Sequence, residues 1–186
     1  MQKFLVAGLG NPGEDYKNSR HNIGFKILDS ISMKYRFSFE TLKKGELAEI
    51  KIKGKQIFFL KPSTYMNLSG KAVNYYMLKK NIPIHNLLIV TDDLHLDFGR
   101  IKIKTKGRDG GHNGHKSIIE TLRSSEYARL KFGIGDLFKQ GDQSKYVLSK
   151  WSNQELLDLS GCIDKATNAI ISFCVDGPKQ TMNNFN

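Results

Sequence analysis

Gly8-Leu9-Gly10-Asn11-Pro12-Gly13-Glu14-Asp15-Tyr16-Lys17-Asn18-Ser19-Arg20-His21-Asn22 joins a strand to a helix through a long polar loop. The strand is Phe4-Leu5-Val6-Ala7, a short apolar run, and the helix pattern opens beside His21. A polar loop leaving a core strand is where an α/β protein places its chemistry. Gly8, Gly10 and Gly13 also satisfy the dinucleotide fingerprint G-x-G-x-x-G. That fingerprint needs a helix opening directly at the glycines, so that its N–H groups meet a pyrophosphate. Here Pro12 and a polar run intervene, and Asp29 falls inside the helix rather than at the end of a second strand. These features argue against a nicotinamide cofactor.

Further along, Ile23, Ile27, Leu28, Ile31 and Tyr35 recur at helical spacing and predict a helix over 22–35. Leu47–Ile52 and Gln56–Leu60 read as a hairpin around Lys53-Gly54-Lys55. Pro62 is expected to end that ladder, leaving Lys61–Asn67 as a loop. Ser69 is placed to cap a helix carrying Ala72, Val73, Tyr76 and Met77. Leu87–Val90 predicts a central strand ending in Thr91-Asp92-Asp93. Arg100–Thr105 and Arg129–Ile134 each alternate between an apolar and a basic face, and the glycine-rich Gly107–Gly114 between them feeds a helix. Phe138–Ser144 reads as a mobile polar loop. Ser152-Asn153-Gln154-Glu155 is a capping box opening a long helix to Cys174, and the tail after Gly177-Pro178 reads as frayed. The order β-α-β-β-α-β-β-α-β-α predicts a single three-layer α/β domain over residues 1–186. Its twisted sheet is mixed but mostly parallel, with helices on both faces.

The bulk composition narrows the classes. With 39% hydrophobic residues in a chain of 186, a real core is available, and no apolar run reaches the ~20 residues of a membrane span. The chain starts directly in a strand without a signal-peptide pattern, which predicts a cytoplasmic protein. Cys162 and Cys174 lie too far apart on one helix to bridge, in keeping with reduced thiols. Lys and Arg total 29 against 18 Asp and Glu, a net charge of +11. That excess suits a polyanion, nucleic acid before an anionic membrane, although lysines that merely solvate a surface produce the same balance.

The groups able to do chemistry gather just past strands or at helix starts: Asn11 and His21, Asn67, Asp92, and His112 with Asn113. A histidine oriented by a buried aspartate makes a general base. On spacing alone, an ordinary helix-start histidine and a capping aspartate are the better reading of His21 and Asp92. The histidines lack metal-ligand spacing, His95 and His115 read as surface residues, and no G-x-S-x-G elbow is present. Gly110–Gly114 offers backbone N–H groups to an anion, or is a plain glycine turn. Lys102 and Lys104, with Arg129 and Lys131, would merge into a basic stripe if their strands are adjacent. Tyr16 and Tyr65 are loop aromatics suited to stacking on an unpaired base, whereas Tyr75, Tyr76 and Phe132 read as core.

Taken together, Gly8–Gly13, Tyr16, Arg20-His21-Asn22, Met66-Asn67-Leu68-Ser69-Gly70, Asp92-Asp93-Leu94 and Gly110–Gly114 resemble the bacterial peptidyl-tRNA hydrolases in order and interval. The resemblance runs from about residue 4 to residue 150, and the last helix fits it less specifically. It implies a metal-free, cofactor-free monomeric esterase that releases peptide and tRNA from peptidyl-tRNA, engaging the 3′ end and acceptor arm. On the matching positions it implies His21 as general base on water, Asp92 as its orienting group and Asn11 beside the scissile ester. Asn67 and Asn113 would bind peptide or terminal nucleotides, Tyr16 and Tyr65 would line the site with Met66 beneath, and His112 with the basic strand residues would meet tRNA. Three places depart from the family pattern: Tyr65 for a common phenylalanine, Arg108-Asp109 before Gly110, and Asp97-Phe98 for a frequent proline pair. A non-catalytic RNA-binding module is the rival reading.

Overall fold

A computed structural model describes all 186 residues. The chain runs β1 (Gln2–Gly8), α1 (Ile23–Tyr35), β2 (Glu40–Leu42), β3 (Gly45–Ile52), β4 (Lys55–Pro62), α2 (Ser69–Lys80) and β5 (Leu87–Asp93). It continues through β6 (Ile101–Lys104), α3 (Asn113–Leu122), β7 (Ala128–Gly133), α4 (Gln143–Val147), α5 (Asn153–Val175) and α6 (Pro178–Phe185). One seven-stranded sheet in the order β2-β3-β4-β1-β5-β7-β6 carries the fold. The four inner strands β4, β1, β5 and β7 are parallel, and the flanking pairs are antiparallel.

Strand alternation builds the layers. Phe4 and Val6 of β1, Leu88 and Val90 of β5, and Leu130 and Phe132 of β7 face α1 and α5 in one buried cluster. Their neighbours Leu5, Ala7, Leu87 and Ile89 face α2 and α3 in another. The inner strands are buried on both faces, as a parallel sheet sandwiched by helices requires. From β1 the chain first fills the β4 side, then crosses to β5 on the other. The loop after β1 and the end of β5 therefore flank the topological switch point, where doubly wound sheets open a crevice.

Several expectations change. Pro62 is the last residue of β4, paired with Gly45 on β3; it lies beyond Leu60, the last partner of β1, where its missing N–H interrupts no inner ladder. Ser69 does not cap α2, because its hydroxyl donates to the Met66 carbonyl at 2.8 Å. The tail after Gly177 forms α6 with Pro178 at its first turn. The Asn186 amide then pairs with both the N–H and the carbonyl of Ile103 at 2.6 and 3.0 Å, covering the β6 edge. The Ser152–Glu155 capping box is present as read, with both reciprocal hydrogen bonds. No helix is long and apolar enough to cross a membrane.

Candidate active site

The β1–α1 loop is held by Asn22, whose side-chain oxygen accepts from the Asn11 N–H and whose amide donates to the Asn11 carbonyl, both at 2.9 Å. The Asn11 side-chain oxygen in turn accepts from the Met66 N–H at 2.7 Å. That contact fixes the amide orientation and leaves the Asn11 Nδ2 as a free donor toward the crevice. Gly24 lets α1 pass this close: a Cβ there would lie 2.7 Å from the Val90 carbonyl oxygen. His21 is delivered by the turn just before α1 and meets Asp92 at the end of β5.

His21 Nδ1 lies 2.8 and 2.9 Å from the two Asp92 carboxylate oxygens, and both residues are buried. Burial alone would depress the imidazole pKa; the charge and hydrogen bond of Asp92 outweigh it and raise the value. Asp92 answers in the opposite direction. Its complete burial favours the protonated acid, but His21 and His112 hold the carboxyl well below the usual carboxylate range. Because Asp92 accepts at Nδ1, the neutral form of His21 carries its proton there and leaves Nε2, which has no protein partner, facing the crevice.

His112 joins the same carboxylate, with Nε2 at 2.9 Å from Asp92 Oδ1. Its other nitrogen, Nδ1, accepts the Gly114 N–H at 3.1 Å as the N-cap of α3. This assigns the proton to Nε2, so Asp92 accepts from two imidazoles. Both ring nitrogens of His112 are engaged inside the protein, and the ring edge lines the larger cleft. His21, Asp92 and His112 are also the three side chains whose ligand atoms cluster within 4.8 Å, the one group able to offer a metal three donors. Both rings lie within hydrogen-bond distance of Asp92, and His112 Nδ1 is already taken by the Gly114 N–H.

Two clefts meet at His21. One, of roughly 210 Å³, is bounded by Asn11, Met66, Asn67, Asn113, Val147 and Leu148. The other, roughly 250 Å³, is bounded by Asp93, His95, Asp109, the Gly110–Gly111 backbone and Lys131. Tyr16 and Tyr65 form an edge-to-face pair with ring centroids 6.5 Å apart, and Tyr65 is exposed. Lys131 reaches Asp93 at 2.7 Å. The strands β6 and β7 are adjacent, with Lys102 opposite Lys131 and Lys104 opposite Arg129.

Arg129 does not reach the surface of that stripe. It is fully buried beneath the β6–α3 loop, where it donates to the carbonyls of Arg108 and Ser125 at 2.7 and 3.2 Å and lies over the Tyr127 ring. His115, read as a surface residue, is also buried. Arg20 stood in the sequence only as part of the Arg20-His21-Asn22 motif, with no role of its own. It pairs with Glu155 at 2.7 Å and covers the Tyr146 ring, tying the His21 turn to α4 and the start of α5. A basic residue beside a candidate histidine was its one signal. The short α4 was hidden because only Tyr146, Val147 and Leu148 break a polar run.

A carboxylate-oriented imidazole at the switch point of a doubly wound α/β domain, beside a cleft lined by asparagines, has the parts a hydrolytic enzyme needs to activate water. The sequence model described as peptidyl-tRNA hydrolase matches residues 5–186, and the chain belongs to that family. It is 53% identical to a peptidyl-tRNA hydrolase of Azobacteroides pseudotrichonymphae over 99% of both chains. It is 48% identical to one of Phocaeicola vulgatus over 99% of this chain and 98% of the relative. The crystal structure of the Acinetobacter baumannii peptidyl-tRNA hydrolase superposes with a TM-score of 0.91 at 34% identity, covering 98% of this chain and 94% of that one.

Proposed function

We propose that this chain hydrolyses the ester linking peptide to tRNA, with His21 Nε2 taking a proton from the attacking water. The single observation that carries this reading is the His21–Asp92 pair at 2.8 Å, which leaves a lone-pair nitrogen facing the crevice. Water attacks the ester carbonyl, the tetrahedral intermediate expels the ribose oxygen of the terminal nucleotide, and the imidazolium returns its proton to that leaving group. Asp92 stabilises the imidazolium as it forms, and a positioned base of this kind contributes ~10²–10⁴-fold. Asn11 Nδ2 donates to the substrate beside the scissile bond, and Asn67 and Asn113 bind peptide or terminal nucleotides over Met66. Tyr16 and Tyr65 flank the 3′ end, while Lys102, Lys104 and Lys131 meet phosphates of the acceptor arm. Arg129 supports this surface from below.

The family resemblance implies a monomer that works without a metal. The experiment is hydrolysis of N-acetyl-aminoacyl-tRNA and of the unacetylated form, with a chelator present. Release from the blocked substrate alone, unaffected by chelator, is the expected result. TRNA binding without any cleavage would favour the RNA-binding module instead, and loss of cleavage on chelation would overturn the metal-free mechanism.

A further inference from the structure

Behind the site lies a polar network that the reaction as described does not use. His115 is 1% exposed, yet both of its ring nitrogens have partners: Nε2 is 3.1 Å from the Thr91 hydroxyl and Nδ1 is 3.0 Å from the Tyr127 hydroxyl. Burial, reinforced by His112, Arg129 and Lys131 nearby, keeps this imidazole neutral, with one donor and one acceptor to satisfy. Packing alone does not call for such a residue. A buried imidazole carries a desolvation cost that an aliphatic side chain of similar size avoids, and only hydrogen bonds offset it.

The partners sit at informative places. Thr91 directly precedes Asp92 on β5 and points to the opposite face of the sheet, toward α3. Tyr127 is fully buried just before β7 and stacks on His115 with ring centroids 5.9 Å apart. His112 and His115, three residues apart, lie on the same side of the first turn of α3, with rings 5.2 Å apart. His115 therefore bolts the start of α3 to β5 and to the residue that leads into β7, and His112 reaches Asp92 from that same start.

We propose that His115 is a positioning residue: bonded to Thr91 and Tyr127, it seats the N-terminus of α3 so that His112 and His21 share the Asp92 carboxylate in one geometry. The inference rests on the reading of His21 as general base. Misplacement by about 1 Å is enough to cost ~10²-fold in a reaction that depends on alignment.

The test compares wild type with His115→Leu, Thr91→Val and Tyr127→Phe. It uses kcat and KM on N-acetyl-aminoacyl-tRNA, the melting temperature, and the downfield proton resonance of His21 Nδ1–H in the substrate-free enzyme. His115→Leu is expected to lower kcat by ~10- to ~100-fold with KM changed by less than about twofold, and to shift or broaden the His21 resonance. Thr91→Val should lower kcat in the same direction, and adding it to His115→Leu should cost little more, because both remove one contact. Folded variants with unchanged kcat and an unchanged resonance overturn the proposal, even if they melt earlier. If His115→Leu fails to fold, Thr91→Val and Tyr127→Phe, which each remove only a hydroxyl, decide alone. Absence of turnover in wild type would instead sink the esterase reading, and the resonance comparison would still judge His115.

Discussion

At the scale of single residues, the site depends on one carboxylate serving two imidazoles. Asp92 is buried and accepts from His21 and His112, so its charge is what raises the His21 pKa against the opposing pull of burial. The sign of the pH dependence follows. Only neutral His21 is a base, so kcat/KM should rise with pH through a limb shifted upward from the ordinary imidazole value. In Asp92→Asn the raising charge is gone and burial remains, so that limb should move to lower pH while the plateau falls ~10²–10⁴-fold. A pH–rate profile of the two proteins checks this, and a limb that stays in place would contradict the coupling. The two residues stood out in the sequence, a histidine after the β1 loop and an aspartate after the most apolar strand, but it was the family resemblance and not their spacing that paired them. His112 was not joined to them, because its reach to Asp92 depends on where α3 starts.

At the scale of elements, the loops around the crevice are held by side chains far apart in sequence. Arg20 is the main fastener: it binds Glu155 and the Lys150 carbonyl while covering Tyr146, so α4 and the start of α5 move with the His21 turn. Glu155 also closes the capping box of α5. Arg20→Met would leave a mostly buried carboxylate unpaired, at a cost of about 3 kcal/mol. A lowered urea midpoint together with reduced kcat is the expected outcome; unchanged stability would show that Glu155 finds water at no cost. Strands and long helices were readable from alternation and helical spacing, and the capping box marked the start of α5. The short elements were not. The three-residue β2 gains its pairing only from β3, and α4 and α6 carry too few apolar residues for a period to show.

At the scale of the whole molecule, a net charge of +11 faces a polyanionic substrate, but not every basic residue on β6 and β7 contributes. Alternation correctly put Lys102, Lys104, Arg129 and Lys131 on one face of adjacent strands. It could not show that the β6–α3 loop folds over Arg129, since that cover depends on carbonyls of Arg108 and Ser125. Lys104 is exposed at the edge of this face. Lys104→Ala should raise KM with little change in kcat, and should reduce the slope of log affinity against log salt by about 1. An unaltered salt slope would remove Lys104 from the tRNA surface.

The central claim is that His21 is the base. The most direct measurement is single-turnover hydrolysis of N-acetyl-aminoacyl-tRNA by wild type and His21→Ala, alongside the Kd of each for the same tRNA. A rate lower by ~10²-fold or more with Kd within about threefold of wild type is the predicted result. A His21→Ala enzyme that cleaves at a near-normal rate would contradict it, and the proton acceptor would have to be sought elsewhere in the crevice.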